Sequence, residues 1–285
     1  MWNGNSALFE VGICVIIYLN VLYIEFLPMI TERFIGRVKL KFGLAFLNNP
    51  IDKLLRFLDN TLNKAMFVFI IAGVVLSTLH QSSLGTLMVI AGEKMHPLWQ
   101  TPILPLLYLL SAIAVGFPMV IFESLIASRS FGLKPEMAVL SRLGTLVGPI
   151  LGIYLCFKIG DMFVRESFVY LKTINVQSIM FLIEVLIGFV LPFRMFLSRK
   201  VVRSPLMLFI ASALVVFGVL LNRINNFIVA YKPPYAESSY FPSFGEISVT
   251  IGLICLLVLF YRAAVMIFPV ITPTESVKSM GGNVK

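Results

Sequence analysis

The chain is poor in the residues that most often do catalytic and metal-binding work. Its 285 residues hold two histidines, His80 and His96, three cysteines and two tryptophans. The cysteines, Cys14, Cys156 and Cys255, are far apart and form no C-x-x-C pair, which excludes a cysteine-ligated iron–sulfur cluster or a local zinc site. Their ordinary reading is as small buried hydrophobes. A bis-histidine haem would need His96, which sits just before Pro97 in a connection rather than in a span. Charge is scarce as well: 13% of residues are charged, against about 25% in a soluble chain.

What fills the space is apolar. Hydrophobic residues make up 59% of the chain and the mean hydropathy is +0.94. Seven stretches can cross a hydrocarbon core of about 30 Å, which takes about 20 helical residues. They lie at about 8–29, 62–82, 101–127, 141–160, 176–196, 204–223 and 245–268. No β-barrel alternation is present. The pattern predicts an all-α polytopic membrane protein of about seven transmembrane helices, a single integral domain over 1–285. The stretch 84–91 is too short to span and predicts a re-entrant or interfacial turn.

The net charge of +9 could suggest a nucleic-acid partner. Its distribution points instead to topology. Alternating the connections across seven spans places 17 of the 23 Lys/Arg on one side, seven of them in 30–64. The positive-inside rule makes that side cytoplasmic. The N-terminus then lies outside and the C-terminal tail, 270–285, inside. A chain that enters the membrane within ten residues, outside first, predicts an odd number of spans missing upstream. The basic 30–64 loop carries Ile51, Leu54, Leu55, Phe57 and Leu58 at helical spacing, an interfacial helix with lysines among the headgroups. The outer 224–244 loop is rich in Pro and Tyr, and so is rigid and irregular.

Polar groups inside the spans are costly and usually functional. His80 stands in Leu76-Ser77-Thr78-Leu79-His80-Gln81-Ser82-Ser83-Leu84-Gly85, where six polar or ionisable residues arrive in seven. It falls at the outer end of the second span. A neutral imidazole with a pKa near 6.5 can donate to a carbonyl and accept a proton, and Gln81, Ser82 and Ser83 add neutral donors and acceptors. Intramembrane carboxylates sort by depth. Glu10, with Arg223 and Glu246, belongs to the outer end, Glu184 to the middle, and Glu25 and Glu123 to the inner end, a ladder suited to a proton route. Asn222, Arg223, Asn225 and Asn226 form a second polar cluster at an outer span end, which caps a helix, binds headgroups, or faces the His80 cavity.

These same residues carry a resemblance. Ala7-Leu8-Phe9-Glu10-Val11-Gly12-Ile13-Cys14, Glu25-Phe26-Leu27-Pro28, the His80 run and Asn222-Arg223-Ile224-Asn225 resemble the NrfD/polysulfide-reductase family of membrane subunits, over nearly the whole chain. The nearest branch is the membrane subunit type of periplasmic nickel–iron hydrogenases. The resemblance implies an eight- to ten-helix double bundle of which three N-terminal spans are absent here. It also implies a subunit without haem or iron–sulfur cluster, in the bacterial inner membrane. Electrons would pass between a periplasmic ferredoxin-like iron–sulfur protein of a hydrogenase-type complex and menaquinone or ubiquinone. Carried over by position, His80 lies near the quinone, with Gln81, Ser82, Ser83, Glu10, Arg223 and Asn225 as further pocket candidates. Glu25 and Glu123 are then candidates for the proton route. Two other functions stay open: a scaffold that only anchors the external redox subunits, and a secondary transporter, for which no repeat of the span pattern is evident.

Overall fold

The computed structural model describes residues 4, 6–35, 48–130, 132–232 and 241–267. The middle of the basic loop, most of the 233–244 segment and the C-terminal tail lie outside the described residues. Seven helices among those described are long and apolar enough to cross a membrane, and no β-sheet accompanies them. The all-α multi-span fold expected from the hydropathy is therefore the fold observed.

The elements are α1 (Ala7–Phe34), α2 (Asn48–Ala91), α3 (Leu104–Ser130), α4 (Met137–Val164), α5 (Val176–Val185), α6 (Leu191–Leu197), the short α7 (Arg199–Arg203), α8 (Pro205–Ile224) and α9 (Phe244–Ile267). A π-helical turn, Leu186–Val190, joins α5 to α6, so that Val176–Leu197 is one span with a widened turn at its centre. A second π turn, Asn225–Val229, follows α8. Such turns concentrate at functional sites.

Two compact units result. The first holds Met1–Val15 and Leu76–Tyr240. Its core is built by α3, α4, α6 and α8 around Ala114, Ile121, Val147, Leu151, Phe189, Leu208, Ala211 and Val215, all fully buried. In lipid, helices associate mainly by close packing, so small residues mark the contacts. Gly188 in the π turn and Gly218 on α8 meet backbone to backbone: a Cβ on Gly188 would lie 2.5 Å from the Cα of Gly218. Gly85 on α2 is similarly closed, since its Cβ would lie 2.7 Å from the Cα of Pro105.

The second unit holds Ile16–Val75 and Phe241–Lys285. Thr31 on α1 donates to Asp59 of α2 at 3.0 Å. The carboxylate of Glu25 rests on Gly73, 2.8 Å from where a Cβ would be, so a larger residue there would push the glutamate tip aside. α9 opens with a capping box: the Ser243 amide and hydroxyl donate to Glu246 at 2.7 and 3.0 Å. Glu246, placed by sequence in an outer proton ladder, instead holds a helix start.

Two expectations about helix continuity change. The 84–91 stretch is not a separate turn; it continues α2 to Ala91 without a break. The polar run 77–83 is accommodated within the helix, and Gly85, just beyond it, leaves the space that Pro105 needs. The interfacial segment 51–58 is likewise the first part of the same 44-residue helix. His80 therefore lies inside a helix, with 11 residues of it still to come.

Candidate functional site

The densest polar site lies in the first unit and centres on Glu184, which is fully buried on α5. Lys158 of α4, also buried, reaches its Oε1 as an ion pair. Asn222 of α8 donates to the same oxygen at 2.8 Å. The other oxygen, Oε2, accepts from the Trp99 indole at 3.0 Å and from Asn225 at 2.8 Å. Four donors from four places in the chain thus saturate one carboxylate. Burying charge in this way is tolerable only with partners in place.

Local structure explains how each group arrives. The π turn directly after Glu184 and the one beginning at Asn225 widen their helices where those side chains converge. Trp99 is brought in by a tied connection. His96 donates its amide to Ala230 at 2.8 Å, and Lys232 donates to Lys94 at 2.7 Å. Asn222 is in turn held by Arg223, which donates to its Oδ1 at 2.8 Å and to Ser111 at 2.8 Å, with the guanidinium 3.6 Å over the Tyr108 ring. Lys158 donates to the Tyr154 hydroxyl at 3.3 Å and lies 5.4–5.7 Å from the centres of the Tyr154, Phe181 and Phe189 rings.

A polar stripe leads outward from there. Tyr154, Lys158, Asp161 and Arg165 follow one face of α4 at i, i+4, i+7 and i+11. Asp161 accepts from Thr101 at 2.8 Å and from Arg165 at 2.7–2.9 Å, and Arg165 also donates to the carbonyls of Pro97 and Gln100. A cavity of about 20 Å³ lies between Trp99, Thr101, Tyr154, Lys158, Asp161 and Arg165. It has room for a single water.

His80 occupies a different place. It precedes Leu84 by one turn on the face of α2 that packs, through Leu84, Met88 and Ala91, against the cluster of Met95, Trp99 and Tyr108. Its Nδ1 is buried and makes no hydrogen bond. Because successive helical residues turn by about 100°, Gln81 and Ser82 turn away from the face of His80, while Ser83, at i+3, stays beside it. Glu10 is exposed on α1 and Glu123 is exposed on α3. Arg223 and Asn225 take part in the Glu184 network, Arg223 through Asn222 and Asn225 directly. Lys158, near the end of the fourth apolar stretch, is a buried partner of Glu184. Its signal was a lone lysine inside the apolar run Leu155-Cys156-Phe157-Lys158-Ile159. Trp99 carried no such signal.

His96, outside the spans, holds its Nδ1 as acceptor of the Leu98 amide at 3.3 Å. Burial, and then the charge of Lys232, lower its pKa from 6.5. The neutral ring therefore stabilises the fold above pH 6.5, and that contribution is lost as the pH falls through the lowered value. Melting temperature should drop more steeply with acidification in the native chain than in His96→Gln; parallel curves would remove His96 from the account.

An all-α bundle of membrane-spanning helices with a charged cluster sealed in its interior is the class that fold and site define. Residues 3–232 match the family model described as "Polysulphide reductase, NrfD", and the chain belongs to that family. It is 32% identical to a probable Ni/Fe-hydrogenase 2 b-type cytochrome subunit of Escherichia coli (strain K12), over 96% of this chain and 65% of that one. A protein of Nitratidesulfovibrio vulgaris is 35% identical over 94% of this chain and 66% of its own length. The integral membrane subunit of a menaquinone reductase from the same organism is 24% identical, over 89% and 62%. The chain thus spans just under two thirds of the length of these curated relatives.

Proposed function

We propose that this chain is the quinone-reactive membrane subunit of a bacterial inner-membrane oxidoreductase. In this reading it passes electrons between an iron–sulfur partner on the outer face, of the hydrogenase-associated kind, and menaquinone or ubiquinone. The N-terminus of this chain lies outside and its C-terminus in the cytoplasm, as the charge distribution favours. The single domain over 1–285 has 30–64 and 270–285 as cytoplasmic segments and 224–244 as a periplasmic one.

The observation that carries this is the bare Nδ1 of His80. A buried polar atom left without a partner costs about 1–3 kcal/mol, a cost that disappears when an acceptor or donor from a ligand arrives. A quinone, when bound, supplies two-electron redox chemistry and carbonyl oxygens that accept hydrogen bonds. His80 fits such a group: its ring can donate to a carbonyl and hold the proton released on oxidation of the quinol. Ser83, one turn away, is the nearest neighbour on the helix to assist. Arg223 and Asn225 stay candidates beside their bonds to Asn222 and Glu184, since Arg223 keeps further N–H donors and the Asn225 Oδ1 is buried without a partner. Family membership and the relatives named for hydrogenase and menaquinone reductase support the reading.

His80→Ala should leave the complex assembled and lower quinone-dependent turnover by about 10²-fold or more, the loss typical of a positioned acid–base group. Unchanged turnover in an intact assembly would instead make the chain an anchor for the external subunits.

A further inference from the structure

The Lys158–Glu184 pair offers more than a structural tie, because its two members are unequally fixed. All the hydrogen bonds around Glu184 hold it as a carboxylate: two donors on each oxygen. Protonating it would break at least one of them. Lys158 is the member of the pair that lines the cavity. An ammonium has three N–H donors, and Glu184 and Tyr154 take two. The third is left for the cavity.

Charge points the same way. The titratable and charged groups around the pair are Tyr154 on its own α4, Tyr108 on α3 and Arg223 on α8, with Asp161 and Arg165 at the cavity's other end. Buried Lys158 and half-buried Arg223 are cationic and buried Glu184 is anionic, a net charge of +1. Loss of a proton from Lys158 brings that to zero, with Arg223 still balancing Glu184. Gain of a proton by Glu184 would raise it to +2 in a medium that penalises charge steeply. The neutral amine keeps Glu184 and Tyr154 as neighbours, so unloading requires no rearrangement. Asp161, at the end of the cavity nearer the helix terminus, is 10% exposed and Arg165 is 22% exposed. They supply the way out.

We propose that Lys158 is a proton-loading group, exchanging its proton with a water in the cavity beneath Thr101, Asp161 and Arg165, with Glu184 as its fixed counter-ion. In unloading, an N–H bond of the ammonium breaks, its electron pair stays on Nζ, and an O–H bond forms on the water. The proton then leaves past the Asp161 carboxylate. Loading is the reverse, and no other reactant is consumed. Asn222, Asn225 and Trp99 are positioning residues that keep Glu184 anionic while the lysine cycles. The quinone-linked reading supplies only the drive for this cycle, not the site.

The discriminating variant is Lys158→Arg. It keeps the positive charge against Glu184, but a guanidinium does not give up its proton in proteins. The complex carrying this chain is placed in liposomes with a water-soluble quinone analogue, and pH dyes on both sides record protons moved per quinone turned over. Lys158→Arg should turn over quinone like the native chain with its proton yield fallen to the level of bare chemistry. Lys158→Met/Glu184→Gln, which removes both charges together, should do the same and serves where arginine does not fit. An unchanged proton yield in these variants overturns the proposal. So does native turnover without any proton yield, or loss of turnover itself in a correctly assembled variant. His80→Ala in the same preparation tests the quinone reading separately. If the native complex does not turn over quinone, that reading fails, and proton titration of the purified protein decides: the native chain should release a proton that Lys158→Arg retains, and equal release overturns the site.

Discussion

Lys158→Met should be among the most destabilising single substitutions in this chain, by about 3–5 kcal/mol, because it strands a buried carboxylate. Methionine matches lysine as far as Cε and lies well among Tyr154, Phe181 and Phe189, so packing is nearly conserved apart from the missing ammonium. What is lost, beyond the proton that a neutral lysine would also lack, is the N–H donor to Glu184 Oε1, and Glu184 has no exposure through which water could replace it. The remaining donors, Trp99, Asn222 and Asn225, are neutral and offset only part of that loss. Combining Lys158→Met with Glu184→Gln should recover most of the stability, since the glutamine oxygen still accepts and no charge remains. A double-mutant cycle read from thermal unfolding in detergent measures this. If the double variant is as unstable as the sum of the singles, the two groups are not coupled and the ion pair is not what holds them.

The same pair shows what the amino-acid pattern could and could not reveal. Seven apolar stretches were enough to give the all-α multi-span fold, because hydropathy and length alone decide which segments can cross a membrane. Glu184 was marked as a mid-span carboxylate for the same reason. Its partner was not, because a lysine near the end of a span reads equally well as a loop charge. Only the i, i+4, i+7, i+11 alignment of Tyr154, Lys158, Asp161 and Arg165, once α4 is seen to run to Val164, turns it inward. Asn222, Arg223 and Asn225 were legible as a polar cluster but not as to its partner, since side-chain pairing between helices is not encoded by spacing along one of them. The His80 run shows the opposite case. Its polar residues suggest a break followed by a short separate segment, yet the helix runs on for three more turns. Glu246 was legible as a capping box from Ser243-Phe244-Gly245-Glu246 and was taken instead for an intramembrane charge.

Gly188→Ala should loosen the site without touching a polar atom. The new methyl would lie 2.5 Å from the Cα of Gly218, and backbone on both sides leaves no flexible side chain to yield. The helices must separate by the order of an ångström, at a cost of about 1–3 kcal/mol for overpacking. The consequence reaches the site by simple spacing. Glu184 lies four residues before Gly188 and Asn222 four residues after Gly218, so each stands one turn from the crossing, on the face it defines. The 2.8 Å bond from Asn222 to Glu184 depends on how closely the two glycines approach. Gly188→Ala combined with Asn222→Leu should therefore cost less than the two added separately, because the first has already weakened what the second removes. Gly252, on α9, has open space around its position for a Cβ, and Gly252→Ala serves as the control, expected to leave the melting temperature unchanged or slightly raised by better helix propensity. Equal stability of Gly188→Ala and Gly252→Ala would show that the Gly188–Gly218 crossing does not set the distance across the buried cluster.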